Sequence, residues 1–217
     1  MSQLEKLYQA VLEGDARTAR EVTEDALAAG ADPLEMVSKA MVPAMDEVGK
    51  RFECEEYFVP ELLLSARAMK ASLELLRPLL AAQGAKPAGK VAIGTVQGDL
   101  HDIGKNLVAS LLEGGGFEVL DLGADVPPEK FVSAVRDQGV ELICLSALLT
   151  VTMPSMRTTI EALRSAGVRD RVKILVGGAP VTSQFATEIG ADGYGENASD
   201  AVTLARKFCA AETAGAN

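Results

Sequence analysis

His101 is the only histidine in 217 residues. It stands in the run Gly98-Asp99-Leu100-His101-Asp102-Ile103-Gly104. A strand-like apolar run, Lys90 to Val96, leads into that stretch, and a helix-like run, Lys105 to Leu112, leads out of it. In open α/β sheets, ligands bind outside the carboxyl ends of the strands, where such a loop lies. An imidazole there can face a ligand rather than the core. In an extended loop Asp99 is close enough to hydrogen-bond one ring nitrogen. That bond fixes the tautomer and aims the other nitrogen outward, as in metal-binding histidines. One histidine cannot build a zinc site, which takes three or four protein ligands. Cys54, Cys144 and Cys209 show no paired spacing. A single imidazole does suffice when a cofactor's macrocycle supplies the other ligands.

The elements that must position this loop divide into two kinds. Residues 1–80 carry helical patterning only. Leu4, Leu7, Tyr8, Val11 and Leu12 recur at helical spacing. Asp15 can cap a second helix, and Asp32-Pro33 starts a third. Met36, Met41 and Met45 lie in its apolar stripe, where Pro43 predicts a kink. Pro60 starts a fourth helix, with Leu62, Ala66, Met69, Leu73 and Leu76 periodic. These four predict an antiparallel all-α four-helix bundle. The methionines, Met69 included, are expected as core filler, and Phe58 by itself as a hydrophobic staple at a helix start. Residues 81–89, rich in small residues and glycine, form a linker. From residue 90 to 217, strand-like runs (91–96, 118–122, 142–146, 172–176 and a weak one near 192–194) alternate with helix-like runs. That pattern predicts an α/β domain, a doubly wound parallel sheet of five strands covered on both faces.

Composition sets bounds. The chain is 48% hydrophobic and 24% charged, enough for a core. A net charge of −10 argues against nucleic-acid binding, which needs a basic surface. No apolar run is long enough to span a membrane. The amino terminus lacks a signal peptide's layout, so with unpaired cysteines a reducing cytoplasm is expected.

The carboxyl ends of later strands carry further motifs. Ser146-Ala147-Leu148-Leu149-Thr150-Val151-Thr152 follows the third, and Gly177-Gly178-Ala179-Pro180 the fourth. Alone, such hydroxyls are helix caps and such glycines turns. Together they suit a long slot in which backbone approaches a ligand closely. Asp102 is read as the cap of the helix after it.

Asp99-x-His101-x-x-Gly104 resembles the D-x-H-x-x-G motif of cobalamin-binding proteins, and the run through Lys105-Asn106 is similar to their methyltransferase branch. The stretch from Val48 to Leu62 resembles the helical cap that precedes the cobalamin domain of cobalamin-dependent methionine synthase. The resemblance covers about residues 5–208. It implies a flavodoxin-like strand order 2-1-3-4-5. It also implies a cobalamin or related corrinoid, with His101 displacing the cofactor's own base as lower ligand of cobalt. Gly98, Asp99, Leu100, Asp102, Ile103 and Gly104 would surround that ligand. Ser146, Leu148, Thr150, Gly177, Gly178 and Ala179 would line the tunnel for the displaced tail, and Tyr194, Gly195, Glu196, Asn197 and Ala198 its far end. Thr152 falls where the family places a serine completing an Asp–His relay. Phe58, Val59 and Leu62 would shield the upper face.

A lone cap plus cobalamin domain is similar to the corrinoid subunit of a multicomponent methyltransferase system. That resemblance implies a non-catalytic methyl carrier whose corrinoid takes methylcobalamin, cob(I)alamin and cob(II)alamin states. Its partners would be a substrate-specific methyltransferase, a second methyltransferase and a reductive activase. The alternative from another class is a cobalamin-dependent sensor, which should add a basic DNA-binding module. A receiver domain needs an aspartate where Ser146 stands. A Rossmann nucleotide site needs a glycine fingerprint that Gly94 to Gly98 do not fit. A cobalamin mutase subunit shares the histidine motif but not this cap.

Overall fold

A computed structural model describes the backbone of residues 1–214 and the side chains of residues 1–210. The chain divides into two compact units, Met1–Pro87 with Glu113–Gly116, and Ala88–Leu112 with the chain from Phe117 on.

The first unit is helical. Helix α1 spans Gln3–Leu12 and α2 spans Ala16–Ala28. Asp15 caps α2 by accepting from the amides of Arg17 and Thr18 at 3.1 and 3.0 Å. Asp32 caps α3 (Pro33–Met36), accepting from Glu35 N at 3.2 Å. The helical run then continues as a π turn, Val37–Met41, into α4, Val42–Glu53. Proline lacks an N–H, and its ring crowds the carbonyl four residues back. For Pro43 that is the carbonyl of Lys39. The turn before it widens, and Val42 N donates to Val37 O, five residues back. The predicted kink is therefore a widened turn. Helix α5 spans Val59–Ala82 and passes through exposed Pro78. Met36, Met41, Met45 and Met69 are buried with Leu7, Val11, Val48 and Leu76, so all four methionines fill the core. Among the described residues no helix is long and apolar enough to cross a membrane.

The second unit is a five-stranded parallel sheet in the order β2-β1-β3-β4-β5. The strands are β1 (Lys90–Thr95), β2 (Glu118–Asp121), β3 (Leu142–Ser146), β4 (Lys173–Gly177) and β5 (Gly193–Gly195). Helices α6 (Ile103–Gly114), α7 (Pro128–Gln138), α8 (Pro154–Ser165), α9 (Ser183–Ile189) and α10 (Ala198–Ala214) alternate with them. β1 and β3 are apolar along their buried length except for Thr95 at the end of β1, as expected of strands covered on both faces. Phe131 of α7 and Met156, Ile160 and Leu163 of α8 share one core with Ala92, Ile143, Leu145, Ile174 and Val176. Thr95 pairs with Ser146, and Ser146 with Gly177. That register brings the loops after β1, β3 and β4 together at one edge.

Candidate functional site

Asp99 is fully buried and gathers the loops after β1 and β3. Its Oδ1 accepts from His101 N at 3.0 Å and lies 2.7 Å from His101 Nδ1. Its Oδ2 accepts from Leu148 N at 2.8 Å, Leu149 N at 3.3 Å and Thr152 Oγ1 at 2.6 Å. Burial alone would raise this carboxyl. The donors from Thr152, His101 and Leu148 outweigh it and hold it well below the usual carboxylate range. An ionised carboxylate only accepts. The 2.7 Å contact therefore needs the hydrogen on His101 Nδ1, which leaves Nε2 with its lone pair. The Asp99 side chain is wholly covered, whereas 48% of the His101 side chain is exposed. The β-branch of Thr152 does not obstruct the contact: its hydroxyl reaches both Asp99 Oδ2 and, at 2.8 Å, Leu149 O.

No group of three or more His, Cys, Asp and Glu side chains is placed to hold a metal among the described residues. Cys144 is buried, and burial together with Cys209 pushes its thiol up to about 12. A metal held at His101 must bring its remaining ligands with it. The surroundings fit such a group. The large apolar side chains that stand exposed in this unit are Leu100, Ile103, Leu148, Leu149 and Val151. All lie on the two stretches that converge on Asp99. Gly104 adds a second sign. A Cβ there would meet nothing within 4 Å, and its backbone is not left-handed. Within a helix, glycine is less stable than alanine by roughly 0.5–1 kcal/mol. Neither packing nor backbone asks for glycine at 104, whereas close approach of a ligand would.

The remaining expected residues sort unevenly. Gly98, Leu100, Asp102 and Ile103 are exposed around His101. Asp102 caps α6 through its carbonyl, which accepts from Asn106 N at 2.8 Å, while its carboxylate takes the Asn106 side-chain amide at 3.1 Å. Ser146, Leu148, Thr150, Gly177 and Ala179 line the edge where β3 and β4 end, half-buried or exposed. Gly178 has another explanation than ligand approach, since a Cβ there would lie 2.0 Å from the Ala147 carbonyl oxygen. Tyr194 and Gly195 end β5, and Glu196 is exposed. Asn197 accepts from Asp200 N at 2.9 Å as a cap, and Ala198 is buried. In the helical unit Phe58 is 63% exposed and Val59 is also exposed. Phe58 therefore does not act as a staple. Leu62 is completely buried, so it is a core residue and not part of an open shielding face.

Sequence reasoning missed two contributors and left a third, Lys105, as a motif residue without a contact. Buried Thr95 donates its hydroxyl to His101 O at 2.9 Å. Asp125, in the loop after β2, accepts from Gly98 N at 2.7 Å. Buried Lys105 pairs with Asp121 at 2.6 Å and ties the start of α6 to the end of β2. Only Lys105 left a signal, as an isolated cation in an apolar helical stripe.

Two family models, each described as a B12 binding domain, match residues 3–77 and 89–203. The chain is 45% identical over 203 residues to trimethylamine corrinoid protein 1 of Methanosarcina acetivorans, covering 93% of this chain and 94% of that protein. Among solved structures it is similar to a cobalamin-binding protein from Desulfitobacterium hafniense, with a TM-score of 0.77 at 35% identity over 94% of this chain and 98% of that one. It is also similar to a chain of the methanol:cobalamin methyltransferase complex of Methanosarcina barkeri, with a TM-score of 0.86 at 31% identity over 96% of this chain and 80% of that one. Two matches that between them take in both units, and a corrinoid-protein relative at 45% identity, lead to one assignment: the chain belongs to the B12-binding family, among its corrinoid proteins.

Proposed function

We propose that this protein carries a methyl group on a bound corrinoid, taking it from one methyltransferase and yielding it to another, with His101 as the lower ligand of cobalt. The observation that carries the reading is the half-exposed imidazole whose Nδ1 is committed to buried Asp99. When bound, the corrinoid supplies a cobalt centre able to accept and give up a methyl group. His101 offers Nε2 to it. Asp99 holds the ring in one tautomer, and Thr152 fixes the carboxylate from behind. Asp99 would also offset a positive charge on the ring wherever the ring were not bound to the metal. Leu100, Ile103, Leu148, Leu149 and Val151 exclude water from the lower side. Ser146, Thr150, Gly177, Ala179 and the segment Tyr194–Asn197 take the cofactor's tail. Phe58 and Val59 form the shielding face of the helical cap.

The relatives' names support methyltransferase partners, one of them a subunit assembled with its methyltransferase. In this reading the methyl source is chosen by the partner enzyme. The trimethylamine name of the relative makes a methylated amine the first donor to assay.

The test uses the fact that histidine occurs once. Protein grown with 15N-histidine and loaded with cobalamin in the Co(II) state should show the 15N coupling of one imidazole in its electron paramagnetic resonance spectrum. His101→Ala should lose it. A spectrum unaffected by the label means that no histidine nitrogen is on cobalt, and the ligand assignment fails.

A second expectation concerns Gly104. Gly104→Ala should stabilise the corrinoid-free protein slightly, by less than the roughly 0.5–1 kcal/mol of a mid-helix exchange, because Gly104 stands in the first turn of α6. The same change should weaken corrinoid binding at least about tenfold, equivalent to about 1.4 kcal/mol. Thermal unfolding and a binding titration give the two values. An alanine variant that binds as tightly as wild type removes Gly104 from the contact.

A further inference from the structure

The loop after β2 also grips the His101 turn, through atoms other than those Thr152 holds. Asp125 has φ of 52°, a left-handed backbone that non-glycine residues seldom adopt. Its carboxylate Oδ1 accepts from Gly98 N at 2.7 Å, and its own N donates to Asp99 O at 2.9 Å. One residue thus holds the two peptides that flank the Gly98-Asp99 pair, the one before Gly98 by its amide and the one after Asp99 by its carbonyl. The neighbouring bonds extend the grip. Val126 N donates to Thr95 O, and Thr95 N to Gly123 O, each at 3.0 Å. Thr95 in turn holds His101 O. A glycine at 125 would avoid the steric cost of the left-handed backbone. What glycine lacks is the carboxylate, and here the carboxylate is used on Gly98. A residue kept in a sparsely populated conformation by a bond to a site loop points to a function for that bond.

The geometry points to Asp125 as a positioning residue for His101: it fixes the backbone before Gly98 and after Asp99, and through them the carboxylate on which the imidazole rests. Asp125 does not contact the ring and needs no contact with the cofactor. It acts because the Asp99 side chain leaves a backbone clamped on one side by Asp125, while its oxygens are clamped on the other by Leu148, Leu149 and Thr152. Release of one clamp lets the carboxylate and ring shift together. This inference rests on the ligand reading of His101 given above.

The test compares Asp125→Asn, Asp125→Gly and Asp125→Ala. Asparagine keeps an acceptor oxygen and tolerates the left-handed backbone. Glycine removes the acceptor and relieves the backbone, so that variant folds even where alanine does not. In the corrinoid-free protein, amide hydrogen exchange at Gly98 should speed up about tenfold in the glycine variant, the effect of losing one hydrogen bond. Exchange at Val91 to Ile93 should not change. The nitrogen signals of the one imidazole should show a single tautomer in wild type and the asparagine variant, and averaging between tautomers in the glycine variant. With Co(II) cobalamin added, the histidine-ligated fraction of the glycine variant should fall about threefold to tenfold, below the loss expected for a direct ring partner. Wild-type exchange at Gly98 with a single tautomer in the glycine variant overturns the proposal. So does an asparagine variant as impaired as the glycine one, which would make charge and not the clamp responsible. If wild-type protein itself shows no histidine nitrogen on cobalt, the ligand reading falls, while the two measurements without corrinoid still decide whether Asp125 holds the ring.

Discussion

Asp99→Asn should weaken the hold of His101 on a bound metal by roughly 10–100-fold, the usual effect of losing the partner behind a ligand. The reason lies in the donor count. Asp99 Oδ1 faces two donors of His101, and Oδ2 faces those of Leu148, Leu149 and Thr152. Asparagine has one acceptor oxygen and one NH2 group. Whichever way the amide turns, its NH2 meets N–H or O–H groups, and buried donors lose their acceptor. Each such loss costs about 1–3 kcal/mol in a buried setting. Folding should also change its response to acid. The Asp99 carboxyl is held below its ordinary range in the folded protein. A group with a depressed folded value adds stability above its unfolded value, near 3.9 for aspartate, and loses it as pH falls further. Wild type should therefore lose stability as pH drops below about 4. The Asn variant should start lower at pH 7 and fall less steeply over the same range. Thermal unfolding of both proteins from pH 7 to pH 3 measures this, alongside the ligand spectrum at each pH. Parallel pH profiles for the two proteins would show that Asp99 carries no special charge.

Asp99, His101 and Thr152 were legible because each is a side chain whose type announces its chemistry, set in a motif or at a strand end. Thr95 and Asp125 were not. Both act on backbone atoms, a carbonyl and an amide, and such partners leave no mark in residue type. Their place beside His101 also depends on parallel pairing of β1 with neighbours distant in sequence. The strand order 2-1-3-4-5 rested on resemblance for the same reason, since pairing between crossovers has no local signal. Leu62 teaches the opposite lesson. Its spacing with Met69, Leu73 and Leu76 already placed it in a core stripe, and the structure buries it there. The resemblance drew it outward with Phe58 and Val59. Where helical periodicity and a motif alignment disagree about one apolar residue, the periodicity reports burial more directly. The π turn before Pro43 shows a third limit. Proline marks where a helix must adjust, but whether it bends or widens depends on what packs around it.

Gly178→Ala should destabilise the protein by about 2–4 kcal/mol and loosen the site with it. Gly178 has φ of 125°, which side chains rarely accept. Its Cβ would lie 2.0 Å from Ala147 O, 2.9 Å from Ala147 C and 3.2 Å from Ala147 N. All three are backbone atoms, so no rotamer change can clear them, and the loop after β3 must move. The next residue in that loop is Leu148, whose amide donates to Asp99. Leu149 and Thr152 follow, with two more of its donors. A methyl group at 178 therefore pushes on the anchor of His101 without touching it. Gly177→Ala should be milder, because a Cβ there would meet Gly195 O at 3.0 Å and needs only a small shift. Gly104→Ala should act with the opposite sign on the corrinoid-free fold. Three glycines at one edge of the sheet then separate by cause: protein packing at 178, tight pairing at 177, ligand approach at 104. Urea unfolding of the three variants without corrinoid, together with the tautomer of the single imidazole, distinguishes them. Gly178→Ala with wild-type stability and a fixed imidazole would mean that the loop after β3 yields freely, and that Asp99 is not held from that side.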